Sequence, residues 1–295
     1  GIRLGHEAIG TVTDAGPEVH AVKVGDRVLV SGVIGCGVCA PCLAGQPNVC
    51  LAGASAAFGT IPDLPGGQAE AIAVPHADRF TLAIPDGVSD EAAVLLTDIL
   101  PTGYVGALRA DIQPGSTVVV VGLGPVGFMA LQCAALFGPS RIFAVDMVPE
   151  RLARAAAYGA EPIDAREVPG SVQIMEATGG RGAESVIEAV GADATVLDAL
   201  QCAATGGTVS VVGVNLNLAL PFPMALVFLK SLTLRAVFAP IPGTWSALVP
   251  LIQAGRFELP ETFTHRFGLS QVADAYELFD SRRDGVLKVL LDPKV

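Results

Sequence analysis

Hydrophobic and polar positions follow two regimes along the chain. From Ile2 to about Val74 the apolar residues come in short runs separated by turns: Gly25-Asp26 precedes Arg27-Val28-Leu29-Val30, and Gly66-Gly67 precedes Ala69 to Val74. Short runs between glycine-bearing turns predict an antiparallel, barrel-like β unit. From Ser116 onward, continuous apolar runs alternate with helical patterns. Thr117 to Val121 is an unbroken β-branched run with the composition of a strand buried on both faces. An Ala-, Leu- and Met-rich helix, Pro125 to Phe137, stops at Gly138, and a second run, Ile142 to Val145, is closed by Asp146. Further β runs follow at Pro162-Ile163, Ser185-Val186-Ile187, Thr208 to Val212 and Leu232 to Phe238, most of them separated by helices such as Glu150 to Tyr158 and Thr195 to Ala203. This alternation predicts six strands in a parallel, doubly wound sheet.

Two segments flank that sheet. Ser89 with Glu91 predicts a capped helix through Ala92 to Leu96, and Asp98 then falls inside an apolar surrounding where a buried carboxylate needs a partner such as a metal. After about Pro240, helices around Trp245 to Ala254 and Val272 to Phe279 and a closing strand Val286 to Leu291 are expected. The chain divides into residues 1–99, 100–239 and 240–295, with the last segment returning to complete the first domain.

The turn after the first buried strand reads Gly122-Leu123-Gly124-Pro125-Val126-Gly127, a GxGxxG at a strand-to-helix junction. Gly122 allows the tight turn, Gly124 lets backbone approach a pyrophosphate, and Gly127 lets the helix pack on the sheet, while the free N–H groups of the helix start hold negative charge. Asp146 lies nineteen residues beyond the last glycine, in register to accept from a ribose 2′-OH and to repel a 2′-phosphate. The cofactor is therefore expected to be NAD rather than NADP. Arg151, a helical turn further on, could reach the same ribose, and the strand-end residues Val190, Val212, Gly213 and Val214 lie where a dinucleotide runs along the carboxyl edge.

Cysteine usage adds a metal. Cys36, Cys39, Cys42 and Cys50 occur within GCGVCAPCLAGQPNVC, a spacing at which four thiolates close a tetrahedral shell around Zn²⁺ and leave no position for substrate. That site is expected to be structural. Cys133 and Cys202 lie in apolar helical patterns, so this usage suits a reducing compartment rather than disulfides.

Length and charge bound the function. At 295 residues the chain has room for about two domains. A net charge of −11 argues against nucleic acid or an anionic membrane surface as partner. The most apolar stretch, Leu216 to Leu234, is broken by Pro221, Pro223 and Lys230, which a membrane-spanning helix would not favour, and no signal peptide opens the chain. A soluble, cytoplasmic protein is expected.

Taken together, the Gly5-His6-Glu7 triplet, the four-cysteine lobe, the TDxxxTG of Thr97 to Gly103 and the VGLGPVG turn followed by its acid resemble the zinc-dependent medium-chain alcohol dehydrogenases, in the family's order and over essentially the whole chain. The resemblance implies a Rossmann domain inserted in a GroES-like β-barrel catalytic domain. It implies that His6 and Asp98 are catalytic zinc ligands, that Glu7 can approach or exchange onto the metal, and that Thr102 lies beside the nicotinamide. The aspartate at the third ligand position looks like the bacterial secondary-alcohol branch. It further implies transfer of hydride between a small alcohol or aldehyde and NAD, and a homodimer or homotetramer in which the edges carrying the Pro221 to Phe238 run pair. Phe58, after the cysteine lobe, is a candidate for lining the substrate pocket or for packing.

One departure stands out. The family's first catalytic ligand, a cysteine, and the Ser/Thr of its proton relay lie before the GHE triplet, and no such residues precede it here. The expectation is an N-terminally truncated member with intact structural zinc and NAD sites and two protein ligands at best on the catalytic metal. Two alternatives accompany this reading: a nucleotide-binding remnant without turnover, and a zinc-free quinone reductase of the same superfamily.

Overall fold

A computed structural model describes residues 1–293. The chain forms two compact units, one of Gly1–Pro101 with the segment from Ala239 onward, the other of Thr102–Phe238.

In the first unit, β1 (Ala8–Thr11) pairs antiparallel with β2 (Arg27–Val30), which pairs on its other side with β5 (Thr81–Ala83). Between them lie the hairpin of β3 (Val33–Ile34) and β4 (Ala56–Ala57), the short helix α1 (Ala40–Leu43) and α2 (Ala77–Phe80). Val30, Ile34, Phe58, Leu64 and Phe80 form a buried cluster there. Phe58 is 1% exposed and belongs to that core, so of its two expected roles packing is the one observed.

Ala69 to Val74, expected as a strand, has no ladder. Its apolar pattern is met instead by Ile72 and Val74 packing on the Phe58–Phe80 cluster, while Gly66, Gly67 and Gln68 donate to the carbonyls of Arg3, Gly5 and Leu4. Burial of alternate side chains produces strand-like patterning whether or not a neighbouring strand is present to pair.

The capped helix is α3 (Asp90–Leu95), with Ser89 Oγ accepting from Ala92 N at 3.2 Å. It ends earlier than its apolar continuation suggests. Thr97, fully buried, donates its Oγ1 to Val94 O at 2.6 Å, and a new helix, α4 (Ile99–Arg109), begins two residues later. Asp98 therefore sits in the break between two helices, not on an apolar helix, because a threonine bond to a helix-end carbonyl competes with continuation. The boundary between the two units falls within α4.

The second unit is a six-stranded sheet in the order β11-β10-β9-β6-β7-β8. Its strands are β6 (Thr117–Val121), β7 (Arg141–Asp146), β8 (Glu161–Asp164), β9 (Ala183–Glu188), β10 (Ala203–Val211) and β11 (Thr233–Ala236). All pairings are parallel. They are connected by α5 (Pro125–Ala135), α6 (Pro149–Ala157), α7 (Gly170–Ala177), α8 (Asp193–Cys202) and α9 (Met224–Leu229). Two βαβαβ halves run outward from β6 and β9, which places the topological switch point at the carboxyl ends of those two strands. Val119, Phe143, Val186 and Val209 of the sheet pack with Ile174, Val196 and Leu200 of α7 and α8 in a fully apolar core.

The chain then returns to the first unit. α10 (Ile241–Gln253) is followed by β12 (Phe263–Gly268), α11 (Val272–Ser281) and β13 (Lys288–Asp292), with β12 and β13 paired parallel. β12 was not legible beforehand because His265 and Arg266 interrupt its apolar alternation.

Trp245 of α10 is 7% exposed and donates its indole N–H to Leu96 O at 3.0 Å, fastening α10 to the α3–α4 break. Trp245→Phe keeps the ring but leaves that carbonyl buried without its donor. It is expected to destabilise the first unit by about 1–3 kcal/mol, read as a lower urea midpoint at unchanged slope.

Candidate functional site

Three clusters of chemically capable residues emerge, two in the first unit and one in the second. In the first, His6 and Glu7 lead into β1 while Asp98 occupies the α3–α4 break, far apart in sequence. Gly32, just past β2, brings them together. Its N–H donates to Thr97 O at 2.8 Å, and a Cβ there would stand 2.9 Å from both His6 O and Thr97 O. Only glycine lets the two segments close to this separation.

His6 Nε2 lies 3.1 Å from Asp98 Oδ2. That bond is the main reason the imidazole pKa rises above its ordinary value, against partial burial, which lowers it. Glu7 is held from behind: Lys288 Nζ donates to its Oε1 at 2.6 Å, with the lysine side chain 11% exposed and the glutamate 20%. The other oxygen, Glu7 Oε2, is buried without a hydrogen-bond partner.

One donor atom each from His6, Glu7 and Asp98 lie within 4.8 Å of one another. A buried carboxylate oxygen without a donor is costly, and a cation placed among the three would satisfy it. The donor set of one imidazole nitrogen and two carboxylate oxygens fits zinc. Lys288 and Gly32 were missed at the sequence level. The single hint for Lys288 is a lysine in the middle of the apolar run Val286 to Leu291.

The second cluster is the cysteine lobe. Cys36 follows β3, Cys39 caps the start of α1, Cys42 lies within α1, and Cys50 ends a short turn of 3₁₀ helix at Pro47–Val49. The four sulfurs lie within 4.8 Å of one another as free thiols. A Cβ at Gly35 would come 2.7 Å from Cys42 Sγ, so glycine is needed for that sulfur to turn inward. Backbone amides point at the sulfurs: Cys36 N donates to Cys50 Sγ and Cys39 N to Cys36 Sγ, both at 3.4 Å. Such N–H donors stabilise thiolates, as a metal–thiolate shell requires. The amide of Cys36 heads the causes that bring the Cys50 thiol down to about 6, whereas burial pushes Cys42 up to about 12.

The third cluster is the glycine turn between β6 and α5. Gly122 adopts φ +87°, and a Cβ there would meet Val190 Cγ2 at 2.2 Å. A Cβ on Gly127 would stand 1.8 Å from Gly122 O, so α5 packs directly onto the turn. Gly124, at the N-cap, has only Arg151 Nη1 near its would-be Cβ, at 3.9 Å, leaving its face open. Leu123, Pro125 and Val126 complete the turn, and the first-turn N–H groups of α5 have no carbonyl inside the helix to bond. These features fit a dinucleotide pyrophosphate.

Asp146 ends β7 beside this turn. Its Oδ2 accepts from Leu123 N at 2.6 Å, and its Oδ1 accepts from Met147 N and Val148 N at 2.7 and 2.9 Å. The carboxylate is thus locked in place with acceptor capacity left on Oδ2. Val190 leaves β9, and Val212, Gly213 and Val214 leave β10, all at the carboxyl edge. Thr102 is 9% exposed on α4 and belongs to the second unit, whereas His6, Glu7 and Asp98 belong to the first.

A doubly wound dinucleotide-binding sheet joined to a β unit that carries a four-thiol lobe and a His/Glu/Asp cluster defines a class of zinc-type oxidoreductases. Comparison with known proteins agrees. The alcohol dehydrogenase GroES-like domain matches residues 1–86 and the zinc-binding dehydrogenase domain residues 125–254. A probable zinc-binding alcohol dehydrogenase of Mycobacterium tuberculosis is 47% identical over 99% of this chain and 75% of its own length. An alcohol dehydrogenase of Cupriavidus necator is 32% identical over 99% of the chain and 84% of its own. Among solved structures, an alcohol dehydrogenase from Thermus sp. ATN1 superposes with TM-score 0.89 at 38% identity, covering 98% of this chain and 83% of that one. The chain belongs to the zinc-dependent medium-chain alcohol dehydrogenase family. It is an oxidoreductase of the zinc alcohol dehydrogenase type, with a GroES-like unit and a Rossmann-type unit.

The thiol order gives a direct test. Among the four lobe thiols of the metal-free protein at about pH 7.5, Cys50 is expected to alkylate first and Cys42 last, because the thiolate is the reactive form. Zinc added beforehand should protect all four. Mass spectrometry of iodoacetamide-treated peptides reads both outcomes.

Proposed function

We infer that this chain oxidises a small primary or secondary alcohol, or reduces the corresponding aldehyde or ketone, with NAD as hydride carrier and zinc at both metal clusters. The observation that supports this most is the convergence of His6, Glu7 and Asp98 around a buried oxygen that lacks a partner.

Zinc, when bound, supplies the positive charge that lowers the pKa of an alcohol hydroxyl and polarises a carbonyl. His6, Asp98 and Glu7 would hold it, while Lys288 keeps one oxygen of Glu7 engaged and leaves the other available. In the net reaction the alcohol carbon gives a hydride to the nicotinamide ring and the hydroxyl gives up its proton. The Gly122–Gly127 turn grips the pyrophosphate, and Asp146 selects the unphosphorylated ribose by offering an acceptor on Oδ2 and repelling a phosphate. Cys36, Cys39, Cys42 and Cys50 would hold the structural zinc and keep their loop folded. No helix among the described residues is long and apolar enough to cross a membrane.

The zinc-loaded chain is expected to reduce NAD⁺ with members of a panel of primary and secondary alcohols. Asp98→Ala should lower turnover about a thousandfold, the rate equivalent of several kcal/mol of lost charge stabilisation. Asp146→Gly should shift the NAD-to-NADP preference about tenfold or more towards NADP, as expected for loss of a charge-assisted hydrogen bond. Dinucleotide binding without turnover on any alcohol would instead identify a binding remnant.

The homodimer or homotetramer also stands as a proposal. β11 is the edge of the sheet, and Leu218, Phe222, Phe228, Leu229 and Phe238 around it are exposed, an apolar edge that a second copy would cover. Phe228→Glu is expected to shift the sedimentation profile towards monomer while leaving the circular dichroism unchanged.

A further inference from the structure

The first half of the sheet, β6 to β8, carries the glycine turn and Asp146. By the internal symmetry of the doubly wound fold, the second half, β9 to β11, receives the other mononucleotide, the one bearing nicotinamide. The surface it offers lies at the exits of two strands, Val190-Gly191 after β9 and Gly213-Val214 after β10, each a glycine beside an exposed valine. These turns touch: a Cβ on Gly213 would fall 2.1 Å from Gly191 N, and one on Gly191 would fall 2.5 Å from Val214 O.

Two carboxylates hold the turns. Glu188, the last residue of β9, is fully buried, and its Oε1 accepts from Val190 N at 2.9 Å, Gly191 N at 2.8 Å and Thr195 Oγ1 at 2.7 Å. Its own carbonyl accepts from Val212 N and Gly213 N at 2.9 and 3.1 Å. Its Oε2 has no partner and lies 2.6 Å from where a Cβ on Gly213 would be, so the side chain is wedged against the β10 exit.

Asp193, in the first turn of α8, makes the second tie. Its Oδ1 accepts from Asn215 Nδ2 at 2.8 Å and its Oδ2 from Asn217 Nδ2 at 2.6 Å, fastening the loop that follows Val214. Val190 in turn presses its side chain onto Gly122. A slip of either turn would move the seat relative to the pyrophosphate.

Burying a carboxylate with an orphaned oxygen is costly for folding alone, since a glutamine amide oxygen would accept the same three donors without a buried charge. We propose that Glu188 and Asp193 are positioning residues that lock the exit turns of β9 and β10 together and so preform the seat of the nicotinamide half of the cofactor. Neither reaches the reacting atoms; each acts through the backbone of Val190, Gly191, Gly213 and Val214. The proposal rests on the NAD reading above.

The test compares NADH with ADP-ribose, which carries the adenosine, pyrophosphate and second ribose but no nicotinamide. Binding to the full chain is measured by calorimetry for Asp193→Ala, for the Asn215→Ala/Asn217→Ala pair and for Glu188→Ala, which removes the acceptor of all three bonds. Loss of the clamp is expected to weaken NADH about tenfold. ADP-ribose affinity should stay within about twofold, because the glycine turn and Asp146 are untouched. Equal weakening of both ligands, or of neither, overturns the proposal. Should Glu188→Ala fail to fold, the two loop variants, which alter exposed or half-buried groups, decide the matter alone. Failure of the unmodified chain to bind either ligand would overturn the NAD reading itself, a different outcome from unmodified binding with equal losses.

Discussion

At Gly122 and Gly127 a turn and a helix meet so closely that a single methyl carbon on Gly127 would overlap the Gly122 carbonyl oxygen, at 1.8 Å. The second unit depends on this approach. It seats α5 against the turn after β6 and leaves Gly124 open where Gly122 and Gly127 are enclosed. Asp146 reinforces the arrangement by accepting the amide of Leu123 from inside the turn, so the carboxylate that ends β7 also braces the loop. Binding geometry is thus set before any ligand arrives, and the ordering entropy is lost on folding rather than on binding.

The first unit solves a different problem with similar means. Gly32 brings the segments of His6 and Thr97 to contact distance, and Thr97 interrupts an apolar helix so that Asp98 turns towards His6. Two acids then share the cluster with different neighbours. Asp98 is bonded to the imidazole, while Glu7 is half-neutralised by a lysine that is itself nearly buried. A charge pair placed there fixes one oxygen of Glu7 and leaves its buried twin without a hydrogen-bond partner. The cysteine lobe is tied to α10 by the donation of Gly243 N to Gly45 O at 2.9 Å, a contact that also requires glycine on both sides.

Much of this was legible in the sequence. The GxGxxG turn, its acid and the four-cysteine spacing are local, and their meaning follows from residue type and separation along a single strand–turn–helix or loop. The alternation of apolar runs and helices likewise fixed the six parallel strands, from Thr117 to Phe238, to within a few residues. The misreadings have particular causes. Ala69 to Val74 looked like a strand because burial alone imposes alternation, and β12 was hidden by His265 and Arg266.

What the sequence determined by itself, then, was the set of groups available: four thiols at short spacing, a glycine turn between strand and helix, an acid at the end of the next strand, and a histidine and carboxylates of metal-ligand type. Only the tertiary structure decided which of these act together. Lys288 meets Glu7 across 281 residues and Asp98 meets His6 across 92, while Glu188 and Asp193 tie turns that leave separate strands. Spacing along the chain constrains contacts within a turn or a helix. Contacts between remote segments are set by which faces pack, and by whether a glycine lets two backbones close together.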